Sequence, residues 1–355
     1  MKEIRDYVAQ GQFRPHRPRS GARADAYDAL VDGLLGYERR IRFPAGVAMH
    51  DVDGLLDLVK IDVPELFYVG PGNVMCVGPQ GRPLSLTLYP TYRLGEKDAI
   101  ALLDAMGREA EELVRRADEL DMLHPCHPGA RCGLDPFDML LPIHDWLVRR
   151  FSYEDAGQPH AHEAPGPLVY GRGVCEGVAK AMKYLCDRCR LACAVVSGVA
   201  RDSGDGSTGP HAWNLVHAGP GGTGYWTNVD VTFDAALSHG FVRHDYFGRS
   251  DAELSVSHRR DEPSPLPLGD GSLRYYERES LMATSASCLG KIVDWHLPRA
   301  GGVEFVMPSL WEGRSELDAA VHHGVGKSAE LMARGGAYTL CPNYDLLVFG
   351  LEVAS

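Results

Sequence analysis

The stretch from Gly171 to Leu185, GRGVCEGVAKAMKYL, constrains the fold more tightly than any other part of this chain. Gly171 and Gly173 allow a tight turn, and Val178, Ala179, Met182, Leu185 and Cys186 then recur at helical spacing. The spacing predicts a helix with one buried face and Cys175 in its first turn. A thiol there lies among unpaired backbone amides at the positive end of the helix dipole, which favours thiolate over thiol. An unperturbed cysteine, with a pKa of about 8.5, is only a few per cent thiolate near neutrality, so such a position bears on reactivity. Most single cysteines are packing residues, and the case for chemistry at Cys175 rests on the residues downstream of it.

GPHAWNLV predicts a strand opened by His211, and YWTNVDVTF predicts a strand ended by Asp230, with Gly219 to Gly224 turning the chain between them. Adjacent antiparallel strands would set His211 beside Asp230. The carboxylate would then hold one ring nitrogen and leave the other for Cys175, giving a nucleophile, a base and an orienting acid. The Cys175 amide would face a tetrahedral oxyanion, a donor worth about 3 kcal/mol of transition-state stabilisation. Tyr170 is the candidate second oxyanion donor. Glu176 is either a substrate contact or a first-turn acid that suits the helix dipole. Trp213 and Asn214, close behind the base, complete the candidate oxyanion and substrate contacts.

GVCEGVAKAM, HAWN and NVDVTFD resemble, in order and spacing, the three motifs of the transglutaminase-like superfamily, the papain-related group of thiol acyltransferases and hydrolases. The likeness extends upstream to Ile143, His144, Asp145, Trp146 and Leu147 with Tyr153. Downstream it takes in His244, Asp245, Tyr246 and Phe247 with Ser250, Asp251 and His258, as in bacterial members. The resemblance covers residues 135 to 260. It implies that Cys175 is the nucleophile, His211 the general base and acid, and Asp230 the orienting carboxylate. The implied fold is α+β, with the cysteine helix packed on an antiparallel sheet. Two packing positions depart from the pattern: Val178 stands where an aromatic is common, and Phe233 replaces a frequent tryptophan. Peptide N-glycanases share this core but carry paired CxxC zinc knuckles upstream, and no such pair is present here.

The remainder of the chain reads as flanking modules. Residues 1–23 hold Arg14, His16, Arg17, Arg19 and Arg23 with Pro15, Pro18 and Gly21, a basic run expected to be a mobile tail. Over 24–130 the periodicities predict an α+β module. Its helices run from Ala24 to a stop at Gly36 and around Leu55, Leu56 and Val59; its strands are Arg40 to Phe43, Leu66 to Val69, Val74 to Val77 and Leu84 to Tyr92; a long helix follows from Glu96 to Leu120. The catalytic region is read as 131–260, with Asp135 and Pro136 starting a helix and Pro142 bending it. Over 261–355 a proline-rich linker, Glu262 to Pro267, precedes a small β-α-β-β unit: Gly301 to Pro308, a helix Ser315 to Arg334, Tyr338 to Cys341 and Leu346 to Val353. Tyr275 to Ile292 gives no clear pattern.

A formal charge of -12 argues against nucleic acid as a partner, since a phosphate backbone requires a basic surface. No apolar run is long enough for a membrane helix, and the first residues lack a secretory core, so the expected address is the cytoplasm. The nine cysteines, odd in number and scattered, fit thiols in a reducing compartment. His124, Cys126, His127 and Cys132 crowd into HPCHPGARC, but their spacing matches no zinc pattern, and no metal or cofactor is expected. Cys186, Cys189 and Cys193 continue an apolar face and read as buried thiols, and Asp202 and Asp205 lie in a flexible access loop rather than a calcium loop. His160 and His162 are expected to be solvated. The expected activity is acyl transfer from a glutamine or peptide amide of a protein or peptide substrate, through a Cys175 thioester, to an amine or water. The alternatives are a cysteine peptidase or amidase with the same triad, and a non-catalytic scaffold.

Overall fold

The computed structural model describes residues 3–77, 85–123, 135–154, 157–201, 206–218, 224–308 and 313–353. It is an α+β chain of helices and antiparallel sheets, with a short parallel pair, Ser152–Tyr153 beside Arg172–Gly173, and it divides into two compact units. The first is Met1–Val196 with Ala212–Gly224 and Glu262–Pro267; the second is Ser197–His211, Tyr225–Asp261 and Leu268–Ser355. The HPCHPGARC motif, Asp202, Asp205 and the turn from 219 to 223 lie outside the described residues.

In the first unit, Tyr27, Leu30, Val31 and Leu34 are buried on the helix Ala22–Leu35, which ends where the Gly36 amide donates to the Asp32 carbonyl. The helix Leu55–Asp62 follows, and strands Ile41–Arg42, Ser85–Tyr92 and Val69–Val77 form an antiparallel sheet with Ser85–Tyr92 in the middle. The strand expected at Leu66 to Val69 is instead a helical turn, Pro64–Leu66, and the strand starts at Val69 with an irregularity before Gly72. Proline at the first helical position accounts for the turn. The long helix runs Glu96–Leu123, and Phe137–Arg150 starts with the Asp135 carboxylate accepting from the Phe137 amide at 3.1 Å.

The mobile tail expected over residues 1–23 is corrected for its described part. Ile4 and Tyr7 are buried, the Gln12 amide donates to Glu65 at 3.0 Å, and the His16 ring lies 2.7 Å from Asp62. Lys183, on the helix that begins at Cys175, donates to the Phe13 carbonyl at 2.8 Å. The prolines exclude a long helix but not docking, because polar side chains between and before them find buried carboxylates.

A five-stranded sheet carries the strands His258–Arg260, Cys193–Arg201, Thr208–Ala218, Tyr225–Val229 and Phe247–Arg249 in that order. Within the first unit, the helix Cys175–Arg188 packs on this sheet through Ala179 against Val195 and Ala212, with Ile61 and Cys175 at the margin of the cluster. In the second unit, Gly302–Val306, Val348–Val353 and Tyr338–Asn343 form a separate antiparallel sheet with the C-terminal hairpin. The single helix expected from Ser315 to Arg334 is two, Arg314–Val325 and Ala329–Ala333, because Ser328 accepts from the Leu331 amide and starts a new helix. The stretch without a clear pattern holds the helix Ala286–Ala300, capped by Ser285, with Leu289, Ile292, Val293 and Leu297 buried.

Candidate active site

Cys175 is the first residue of its helix and is partly exposed. Val174 caps the helix in extended conformation and, being apolar, supplies no side-chain acceptor to the first-turn amides. Gly171 has a left-handed φ of 66°, which a glycine adopts without strain. Gly177 has a different duty, since a Cβ there would sit 2.2 Å from the Ala161 carbonyl oxygen. That same carbonyl accepts from the Val174 amide at 3.0 Å, so the 160s loop lies directly across the helix start.

Around this start runs a charged network within the first unit. Lys180, 1% exposed, donates to Glu163 at 2.9 Å and to the His162 carbonyl at 3.0 Å, and its ammonium lies 2.8 Å from Glu176. Lys60 is 3.1 Å from Glu163 as well. Glu176 also lies 3.1 Å from the His162 ring. Burial raises the Glu176 pKa, but Lys180 and His162 outweigh it and leave the carboxyl below its ordinary range. Its contacts among the described residues are with Lys180 and the His162 ring. His162 is exposed as expected, whereas His160 is half-buried and stacks on Tyr170 with centroids 6.0 Å apart. Tyr170 ends the helical turn Gly166–Tyr170 with its side chain exposed.

Trp213 and Asn214 are the remaining candidate oxyanion and substrate contacts, and the structure places them in the interior. Both are buried, and the Asn214 amide donates to the Ala179 carbonyl at 2.9 Å, tying the Cys175 helix to its sheet. Trp213 and Asn214 lie on opposite faces of one strand, and both faces are covered there. Cys186, Cys189 and Cys193 are buried free thiols, as expected.

In the second unit, His211 and Asp230 meet. Asp230 follows the strand Tyr225–Val229 and caps the helix Val231–Leu237, with Oδ1 accepting from the amides of Thr232 at 3.0 Å and Phe233 at 3.1 Å. Oδ2 accepts from His211 Nε2 at 2.6 Å and from His258 Nε2 at 3.0 Å. Burial pushes the Asp230 pKa up, but the two imidazoles more than reverse this and hold the carboxyl well below the usual range. Phe233, the departure from tryptophan, packs against both rings at centroid distances of 4.6 and 5.0 Å. Sequence patterning does not reveal the contact of His258 with Asp230; the one signal there is the place of His258 in the downstream motif.

His211, Asp230 and His258 are also residue types that could ligate a metal. Neighbouring ligands on a tetrahedral zinc, at about 2.0–2.1 Å from the ion, stand roughly 3.3 Å apart. The 2.6 and 3.0 Å separations here are hydrogen-bond lengths. In this geometry the trio shares protons.

Residues 130–231, which contain Cys175, His211 and Asp230, match the model of the Transglutaminase-like superfamily. This segment is a transglutaminase-like domain. Among solved structures, a candidate cysteine protease from Cytophaga hutchinsonii is similar at 12% identity and a TM-score of 0.24, over 46% of this chain and 62% of that one. A TGase structure is similar at 10% identity and a TM-score of 0.27, over 54% and 50% of the two chains. A candidate protease from Parabacteroides distasonis is similar at 10% identity and a TM-score of 0.23, over 69% and 48%. The chain spans less than two thirds of each, and similarity this low assigns neither an activity nor a substrate. No curated protein matches the chain. Among the described residues, no helix is long and apolar enough to cross a membrane.

Proposed function

We propose that this protein is a thiol acyltransferase or hydrolase in which Cys175 is acylated by a glutamine side chain or peptide amide of a protein or peptide substrate. The observation that carries the reading is the His211 to Asp230 hydrogen bond of 2.6 Å, in a segment that also begins a helix with Cys175. Asp230 is ionised and accepts at Oδ2, so His211 carries its proton on Nε2 and keeps Nδ1 as the basic nitrogen. In this reading the thiol proton passes to Nδ1, and sulfur attacks the amide carbonyl. The oxyanion forms at the uncapped helix start, where backbone amides stabilise it. Collapse breaks the C–N bond as the imidazolium returns its proton to the departing ammonia or amine. An incoming amine or water then loses a proton to His211 and attacks the thioester, restoring the thiolate.

The test is product analysis by mass spectrometry on glutamine-containing peptides, with and without a labelled primary amine, comparing Cys175→Ala. Ammonia loss with amine incorporation, absent in the variant, is the expected result. Backbone cleavage dependent on Cys175 would move the protein to the peptidases. Neither reaction, together with a Cys175 inert to alkylation, would leave a scaffold.

A further inference from the structure

We infer that His258 is a positioning residue of this site: it clamps the Asp230 carboxylate so that Oδ2 lies along the His211 Nε2–H bond and His211 is locked in one tautomer. The catalytic part of the inference rests on the proposed acyl transfer; the geometric part does not.

An ionised carboxylate only accepts hydrogen bonds, and each Asp230 oxygen has two donors. Oδ1 is held by the amides of Thr232 and Phe233, which fix one corner of the group but let the other tilt. His258 removes that freedom by donating from Nε2 to Oδ2 at 3.0 Å, the same oxygen that His211 engages at 2.6 Å. Its own ring is fixed in turn. Ser257 Oγ lies 2.8 Å from Nδ1, the side chain is 1% exposed, and the ring packs beside Phe233 and Tyr246 at centroid distances of 5.0 and 5.5 Å. The backbone beneath it is sheet rather than loop, with His258 opposite Ala200 and the Arg201 amide donating to the Ser257 carbonyl at 2.8 Å. A histidine needed only for packing would be satisfied by any acceptor. This one shares the single oxygen that sets the proton on His211.

The chemistry follows from the donor count. Because the ionised Asp230 carboxylate only accepts, His258 and His211 each present a proton on Nε2 to Oδ2, and the Ser257 hydroxyl lies beside His258 Nδ1. Without His258, Oδ2 can swing out of line, the Nδ1–H tautomer of His211 becomes accessible, and the nitrogen required as base is blocked in that fraction of molecules.

The experiment is imidazole 1H–15N spectroscopy on the intact chain, for wild type, His258→Gln and His258→Phe, alongside kcat and KM for acyl transfer. Wild type is expected to show both His211 and His258 protonated on Nε2. His258→Phe should give mixed His211 tautomers and a kcat lowered about tenfold to a hundredfold, the scale of losing an outer-shell orienting partner, with KM little changed. His258→Gln, whose amide can donate toward Oδ2, should recover most of both. An unchanged His211 tautomer in His258→Phe overturns the inference. Should that variant not fold, the wild-type spectrum decides alone, because a proton on His258 Nδ1 also overturns it. If no acyl transfer is seen in wild type, the enzyme reading fails by itself, and the tautomer measurement still judges the clamp.

Discussion

Around Asp230, four donors converge on one buried carboxylate, whereas the surroundings of Cys175 are made mainly by backbone: a helix start, a left-handed glycine and a loop carbonyl pressed against Gly177. The Asp230 cluster is directional, so its geometry rests on side chains whose loss changes protonation. The surroundings of Cys175 are steric and electrostatic, and their supports are a close approach and a buried ion-pair network. Substitutions in the first should act on rate, and substitutions in the second on stability.

The largest expected effect is Asp230→Asn. The amide oxygen can still cap the helix, but an amide nitrogen cannot accept from an imidazole, and the preferred His211 tautomer reverses. Acyl transfer should fall by about 10⁴-fold, the scale of the equivalent change in serine hydrolases, with the fold retained by circular dichroism. Next is Lys180→Met, which breaks a buried ion pair with Glu163 and should lower the unfolding free energy by about 3 kcal/mol in denaturant titration. The remaining activity per folded molecule should change far less than in Asp230→Asn; an equal loss would erase the contrast between the two clusters. Gly177→Ala comes third. Its Cβ would meet the Ala161 carbonyl oxygen at 2.2 Å, so the loop must move, at a cost of about 1–3 kcal/mol read as a lower Tm.

The smallest effect is one of pH. The Asp230 pKa is held below its ordinary value, about 3.9 in an unfolded chain, so its contribution to stability is complete above that value and is lost as pH falls through the folded one. The stability gap between wild type and Asp230→Asn should be flat just above about pH 4 and close as acid is added. A gap that widened on acidification would mean that the carboxylate is not stabilised by its partners.

The same contrast sets how much can be read from sequence. Helical periodicity after Gly173 locates the Cys175 helix, and a short strand followed by aspartate locates the partner of His211, since both patterns are local. The cap role of Asp230 is also legible in principle, as aspartate before a helix start, but the strand pattern masks it. His258 lies twenty-eight residues from Asp230 in sequence, and only the strand pairing with Cys193–Arg201 places its ring there. Asn214 and Lys180 are hidden for a related reason. Hydrophobic patterning treats polar residues as outward-facing, yet each here is buried because a carbonyl or carboxylate awaits it. The docking of residues 3–23 depends on Glu65, Asp62 and Lys183, far along the chain, and no local pattern announces it.

The central claim is that Cys175 becomes acylated with help from His211 and Asp230. It is tested most directly by acid-quenching the protein during reaction with a glutamine-containing peptide and weighing the intact chain. The account predicts a hydroxylamine-labile adduct on Cys175 equal to the peptide minus ammonia, absent in Cys175→Ala and formed far more slowly in Asp230→Asn. Turnover with no adduct on Cys175, or an adduct that forms equally fast in Asp230→Asn, would contradict it.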